Sequence, residues 1–161
     1  MFFFDDTVVN LIFQYELHDA WFRPIVSIRI LNDMKNTVIL WKDPFDFFEH
    51  YSASFDEPVT VSISDEALAN LKNVISDDEL YDYDNDYLPS PNNIMDGYRQ
   101  EFYFSDGSRA AEYHGSNIGY CLSSPKRYPF TIKILDAFRK IGEILIAEGI
   151  NRDYLILDLD E

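Results

Sequence analysis

The 161-residue chain carries 29 Asp and Glu against 13 Lys and Arg, a formal net charge of −16, and is 47% hydrophobic and 16% aromatic. That length suits one domain able to bury about two-thirds of its unfolded surface, and the aromatic content argues against a disordered chain. The charge disfavours nucleic acid and anionic membranes, which reward cations, and favours a basic partner, a cation, or no ligand at all; halophilic adaptation would also give an acidic surface.

A single cysteine, Cys121, allows no intramolecular disulfide and fits a reducing compartment. The opening Met1-Phe2-Phe3-Phe4-Asp5-Asp6 has neither the basic start nor the long apolar run of a signal peptide, and no uncharged apolar stretch reaches membrane-span length. The expectation is a soluble, cytoplasmic, single α+β domain spanning residues 1–161, with no cofactor implied.

Three strand-like runs come first: Val8 to Leu17, Ile25 to Leu31 and Thr37 to Lys42. Asn32-Asp33-Met34-Lys35-Asn36 supplies turn chemistry between the second and third, so an antiparallel meander is expected. His18 falls in the connection after the first run and reads as a solvated loop residue rather than a ligand. The segment Asp43 to Tyr51 is dense in aromatics without clean periodicity and reads as a loop or helical turn over the sheet, or as a partner-binding patch. A short strand follows from Pro58 to Ile63. Ser64 then caps a helix from Asp65 to about Ile75, with acids in its first turn and a stripe of Leu68, Leu71 and Ile75.

The segment after that helix holds six acids: Asp77, Asp78, Glu79, Asp82, Asp84 and Asp86. No Lys or Arg occurs between Lys72 and Arg99. Ser76 and Glu79 match capping-box spacing, which predicts a short helix, and the remainder reads as a solvated loop closed by Pro89 and Pro91. Asp82, Asp84 and Asp86 copy the first three ligand positions of an EF-hand loop. Tyr87 stands where the turn glycine belongs and Asn93 where the bidentate glutamate belongs, which argues against calcium by that mechanism. The alternative is a protein interface at Asp77, Asp78, Glu79, Tyr81, Asp82, Tyr83, Asp84, Asp86 and Tyr87. There the tyrosines offer stacking area and the acids steer a cationic partner.

Tyr98 to His114 alternates about Asp106-Gly107 and reads as a β-hairpin. A two-residue loop sets Phe102 against Ala111 and Glu101 against Glu112. A glycine bulge sets Phe102 against Ala110 and parts the glutamates, and is preferred because it avoids opposed like charges. An acid/base pair of Glu101 and Glu112 is the functional counterpart of the first register. Cys121 lies in the next loop and reads as a structural thiol, since the sequence does not show whether His114, seven residues away, lies near enough in space to act as its base. Pro129 opens a helix that runs to Glu148 and stops at Gly149. Its stripe is Ile134, Phe138, Ile141 and Leu145, and five cations, Lys126, Arg127, Lys133, Arg139 and Lys140, lie from just before its start to its middle. They are the basic surface that could answer the acidic segment within one chain or between copies. Arg152 to Asp160 alternates like a final strand.

From Asp96 onward the order Asp96-Gly97, strand, Phe104-Ser105-Asp106-Gly107, strand, Gly115-Ser116-Asn117 and Tyr128-Pro129 resembles small uncharacterised acidic proteins of Firmicutes-type bacteria. Val59 to Leu80 is similar in style, so the likeness covers about half the chain, residues 59–145. It departs from the pattern in having no Trp after Asp96-Gly97 and in the ten residues from Ile118 to Arg127 that precede Tyr128. The resemblance implies an α+β fold and brings no activity with it.

The fold expected is α+β, an antiparallel sheet of about five to seven strands, meander plus hairpin, against two main helices. Without a phosphate loop, metal-spaced His/Cys cluster or nucleophile motif, the first expectation is a non-catalytic binding protein for a basic protein partner, such as a toxin-neutralising immunity protein. The alternatives are a small cation-dependent hydrolase using clustered carboxylates, and a structural subunit that self-associates through its acidic loop and basic helix.

Overall fold

The computed structural model describes residues 10–43, 57–91 and 97–157. The aromatic segment beyond Asp43, Val8 at the start of the first run, Asn93, Asp96 and the end of the last run at Asp158 to Asp160 lie outside these residues. The strands are β1 (Leu11–His18), β2 (Pro24–Leu31), β3 (Thr37–Lys42), β4 (Val59–Ser62), β5 (Arg99–Ser105) and β6 (Ala110–Ser116), and the helices are α1 (Asp65–Ile75) and α2 (Pro129–Ala147). One antiparallel sheet of six strands runs in the order β4-β3-β2-β1-β5-β6. The meander and the hairpin thus meet along a β1–β5 seam, and the fold is α+β.

Each element has a local cause. Asp33 accepts hydrogen bonds from the Lys35 and Thr37 amides and from Thr37 Oγ1 at 2.6 Å, closing the turn between β2 and β3. Ser64 Oγ accepts from the Ala67 amide at 3.1 Å and starts α1. Pro129 occupies the first turn of α2, where its missing N–H costs nothing. At the other end Gly149, at φ +91°, takes the left-handed conformation that stops the helix.

Both helices pack on the sheet face formed by Phe13, Tyr15 and Leu17 of β1, Ile28 and Ile30 of β2, and Phe102 and Phe104 of β5, all buried. Tyr15 is the centre of that core. Its ring lies 4.4 Å from Phe138 of α2 and 5.1 Å from Phe102, and its hydroxyl donates to the Ile156 carbonyl at 2.6 Å. Among the described residues no helix is long and apolar enough to cross a membrane.

Two sequence expectations fail here for physical reasons. The hairpin adopts neither expected register: Phe102 pairs with Tyr113, Glu101 with His114, Tyr103 with Glu112 and Ser105 with Ala110. The loop is the four residues Asp106 to Arg109, because the Asp106 carboxylate takes the Ser108 amide at 2.9 Å, the Arg109 amide at 3.0 Å and Arg109 Nε at 2.7 Å. Gly107, at φ +95°, supplies the left-handed residue in that loop. Glu101 and Glu112 are therefore no pair. The last run forms no strand over Arg152 to Leu157: Arg152–Tyr154 is one 3₁₀ turn capped by Asn151. Beyond that turn the chain gives its Ile156 and Leu157 carbonyls to Tyr15 Oη and Gln100 Nε2, at 2.6 Å each, rather than to a ladder.

Phe138 is 5% exposed and touches both Tyr15 and Phe102. Phe138→Ala is expected to lower stability by about 3–5 kcal/mol, and Tyr15→Phe by about 1 kcal/mol for the lost hydrogen bond. Urea unfolding measures both, with an unchanged m-value marking a stability effect alone.

Candidate functional site

The acidic segment is less a loop than a strap tied down at intervals. Asp77, not Ser76, caps the short turn, accepting from the Glu79 amide at 3.0 Å, and the turn over Asp78–Tyr81 is 3₁₀. Ser76 instead donates its hydroxyl back to the Asn73 carbonyl. Leu80 and Leu88 are fully buried, and Tyr83 stacks on Phe130 of α2 at 4.2 Å. Tyr81 donates to the Ile75 carbonyl while the Arg109 guanidinium lies 4.2 Å over its ring. At the far end the His114 amide donates to the Asp86 carbonyl and the Leu88 amide to the His114 carbonyl, which fastens the strap to β6.

Three of the six acids are neutralised within the chain. Lys133 of α2 reaches Asp77 at 2.8 Å and Glu79 at 2.6 Å, and Arg109 reaches Asp78 at 2.6 Å. The hydrogen bond from Lys133 holds the Asp77 carboxyl below its ordinary range, helped by the Glu79 amide. Arg139 and Lys140 pair along their own helix with Asp136 and Glu143. Asp82, Asp84 and Asp86 are exposed and have no ion pair among the described residues, and Tyr87 beside them is 45% exposed.

A second cluster lies on the opposite face of the sheet, where sequence reading placed only the Glu101–Glu112 pair. Gln14, Glu16 and His18 alternate with the core residues of β1 and so point away from the helices. Ser27 of β2 stands opposite Glu16 on one side and Glu101 of β5 opposite it on the other. His18 is corrected from a solvated loop residue to the last residue of β1, only 4% exposed, and Glu16 is 3% exposed.

Three atoms converge there. His18 Nε2 lies 3.1 Å from Glu16 Oε2 and 3.7 Å from Glu101 Oε2. Each residue's remaining polar atom is held from behind. His18 Nδ1–H donates to the Phe22 carbonyl at 3.3 Å, Gln14 Nε2 donates to Glu16 Oε1 at 3.1 Å, and Arg99 Nε donates to Glu101 Oε1 at 3.1 Å. The Phe22 carbonyl is in turn fixed by a turn in which Asp19 accepts from the Trp21 and Arg23 amides at 2.9 Å each.

Burial pushes the Glu16 carboxyl up, against the pull of His18 and Arg29. Burial also opposes charge on His18, but the hydrogen bonds to Glu16 and the Phe22 carbonyl, with the charges of Glu101 and Glu16, outweigh it and raise that pKa. The two carboxylates thus favour positive charge at this point, carried by the His18 imidazolium or by a cation in its place. Among the described residues, Glu16, His18 and Glu101 form the one group of three or more His, Cys, Asp or Glu side chains placed to hold a metal ion. Asp82, Asp84 and Asp86 do not converge in this way. Beside the cluster lies a cavity of about 900 Å³ whose lining includes Gln14, Arg29, Glu101, Tyr103, Glu112 and His114.

Cys121 is buried, its thiol donates to the Pro89 carbonyl at 3.4 Å, and burial pushes its pKa up, all of which suits a structural thiol. Compared with known proteins, the chain matches no family model and no curated protein.

The Lys133 pairs are partly solvated, so Lys133→Met is expected to cost under about 1 kcal/mol at neutral pH. Because the folded Asp77 pKa is depressed, the stability it contributes is present above the ordinary value of 3.8 and is lost as pH falls through the lower folded value. The wild-type and variant curves from urea melts should therefore run parallel at neutral pH and converge below 3.8.

Proposed function

We propose that the protein is a non-catalytic binding protein that takes a basic protein partner on its acidic strap, with a toxin-neutralising immunity protein as the specific form. The observation that carries this reading is the row Asp82, Asp84 and Asp86, exposed and without ion pairs among the described residues, next to the exposed Tyr87 ring. The neighbouring acids are answered by Lys133 and Arg109 and serve the fold. The unanswered ones project a field that gathers cations and speeds encounter, while Tyr87 offers a rigid amphipathic contact. Tyr81 and Tyr83 are occupied inside the strap, so the contact surface is smaller than the full run from Asp77 to Tyr87 and centres on Asp82 to Tyr87.

Self-association through the same surfaces would have to draw on Lys126 and Arg127, the cations at the start of α2 without ion pairs among the described residues. Lys133, Arg139 and Lys140 are already paired within the chain.

The test is stopped-flow association with basic proteins encoded beside the gene, over a salt series. The association rate is expected to fall steeply with ionic strength, and the triple variant D82N/D84N/D86N to slow it about tenfold or more at low salt with a smaller effect on dissociation. A rate indifferent to salt and to those substitutions removes the electrostatic basis of the reading.

A further inference from the structure

We propose that Glu16, His18 and Glu101 bind one zinc ion. Zinc takes nitrogen and oxygen donors at about 2.0–2.2 Å in a tetrahedron, which places neighbouring donor atoms roughly 3.3 Å apart. The separations of 3.1 Å and 3.7 Å from His18 Nε2 to the two carboxylate oxygens bracket that spacing. All three donor atoms lie within 4.8 Å of one another.

The supporting contacts have the form of a metal site's outer shell. His18 is fixed through Nδ1 by a backbone carbonyl, which directs the lone pair of Nε2 toward the carboxylates, and each carboxylate is held through its other oxygen. Glu16 and Glu101 stand directly across the β1–β5 ladder, an arrangement of like charges that a cation between them relieves, whether the His18 imidazolium or a metal ion.

An independent observation points the same way. Ser27, 2% exposed and directly opposite Glu16 on the neighbouring strand, has a buried hydroxyl oxygen with no hydrogen-bond partner among the described residues. A water on the ion would supply one. Three protein donors leave at least one position for that water, and Glu101, which lines the cavity, gives the ion a route in. An imidazole with only two carboxylates suits zinc better than calcium or magnesium, which seek six or more oxygens.

The experiment is calorimetric titration of the metal-free full chain with zinc alone, and separately with calcium and magnesium. One zinc per chain is expected, with little heat from the other two. His18→Gln and Glu101→Gln each remove a direct ligand and should each weaken zinc binding by about 100-fold or more, at or beyond the upper end of the roughly 10- to 100-fold lost with an outer-shell partner, while D82N/D84N/D86N leaves it unchanged. Absence of stoichiometric zinc binding overturns the proposal, as does zinc binding that survives His18→Gln or is lost with the triple variant. Because a substitution at the buried His18 could unfold the chain, X-ray absorption of the cobalt-loaded wild type supplies a second reading. One imidazole nitrogen among oxygen donors is expected; an all-oxygen shell or two imidazoles overturns the assignment.

Discussion

The alternation along β1 sets the terms for everything around it. Phe13, Tyr15 and Leu17 face the helices, while Gln14, Glu16 and His18 face the other way, and both sets lie inside the sheet between β2 and β5. A strand of this kind has no tolerance for a register slip, since a shift of one residue would put a carboxylate and an imidazole into the aromatic core and three large apolar side chains among Ser27, Arg29 and Glu101. Tyr15 pins the register on one face through Phe138, Phe102 and the Ile156 carbonyl. Glu16 and His18 pin it on the other through Gln14, Glu101 and the Phe22 carbonyl.

Charge is organised on two levels in this chain. The strap after α1 uses half of its six acids to grip Lys133 and Arg109, so part of the acidity is structural. That grip and the Tyr83–Phe130 stack join the strap to α2, and its fastening to β6 joins it to the hairpin, so the acids left over are displayed from a fixed scaffold. The Glu16–His18–Glu101 cluster is different in kind. It is small and held by hydrogen bonds at every member, buried at Glu16 and His18 and open to the cavity at the half-buried Glu101, and it answers to short-range chemistry rather than to the field of the whole protein.

What the sequence disclosed divides by range. Thr37 to Lys42, the Ser64 cap, Asp65 to Ile75 and the Pro129 start are legible because neighbouring residues determine them, and all were read at or within a residue of the observed bounds. The hairpin register escaped because one side chain, Asp106, draws Ser108 and Arg109 into the loop, and composition does not weigh that against a tighter turn. The final strand escaped because Tyr15 and Gln100, distant in sequence, take its carbonyls. His18 carried a usable signal, the polar period of Gln14, Glu16 and His18, but that period ordinarily marks the wet side of an antiparallel sheet. Its burial and its meeting with Glu101 depend on a pairing between distant parts of the chain.

That pairing has a kinetic consequence. The meander from β1 to β4 and the hairpin of β5 and β6 each close through neighbouring strands, whereas β1 and β5 must find one another across all the intervening chain, including α1 and the strap. Loop-closure entropy makes such a joint slow to form, so the seam is the natural late step of folding. The Glu16–His18–Glu101 cluster straddles that joint and has no existence in either half alone. A cation seated there would act as a clasp across the two halves, holding them closed by the free energy of its binding and leaving either half, if separated, without a place to put it.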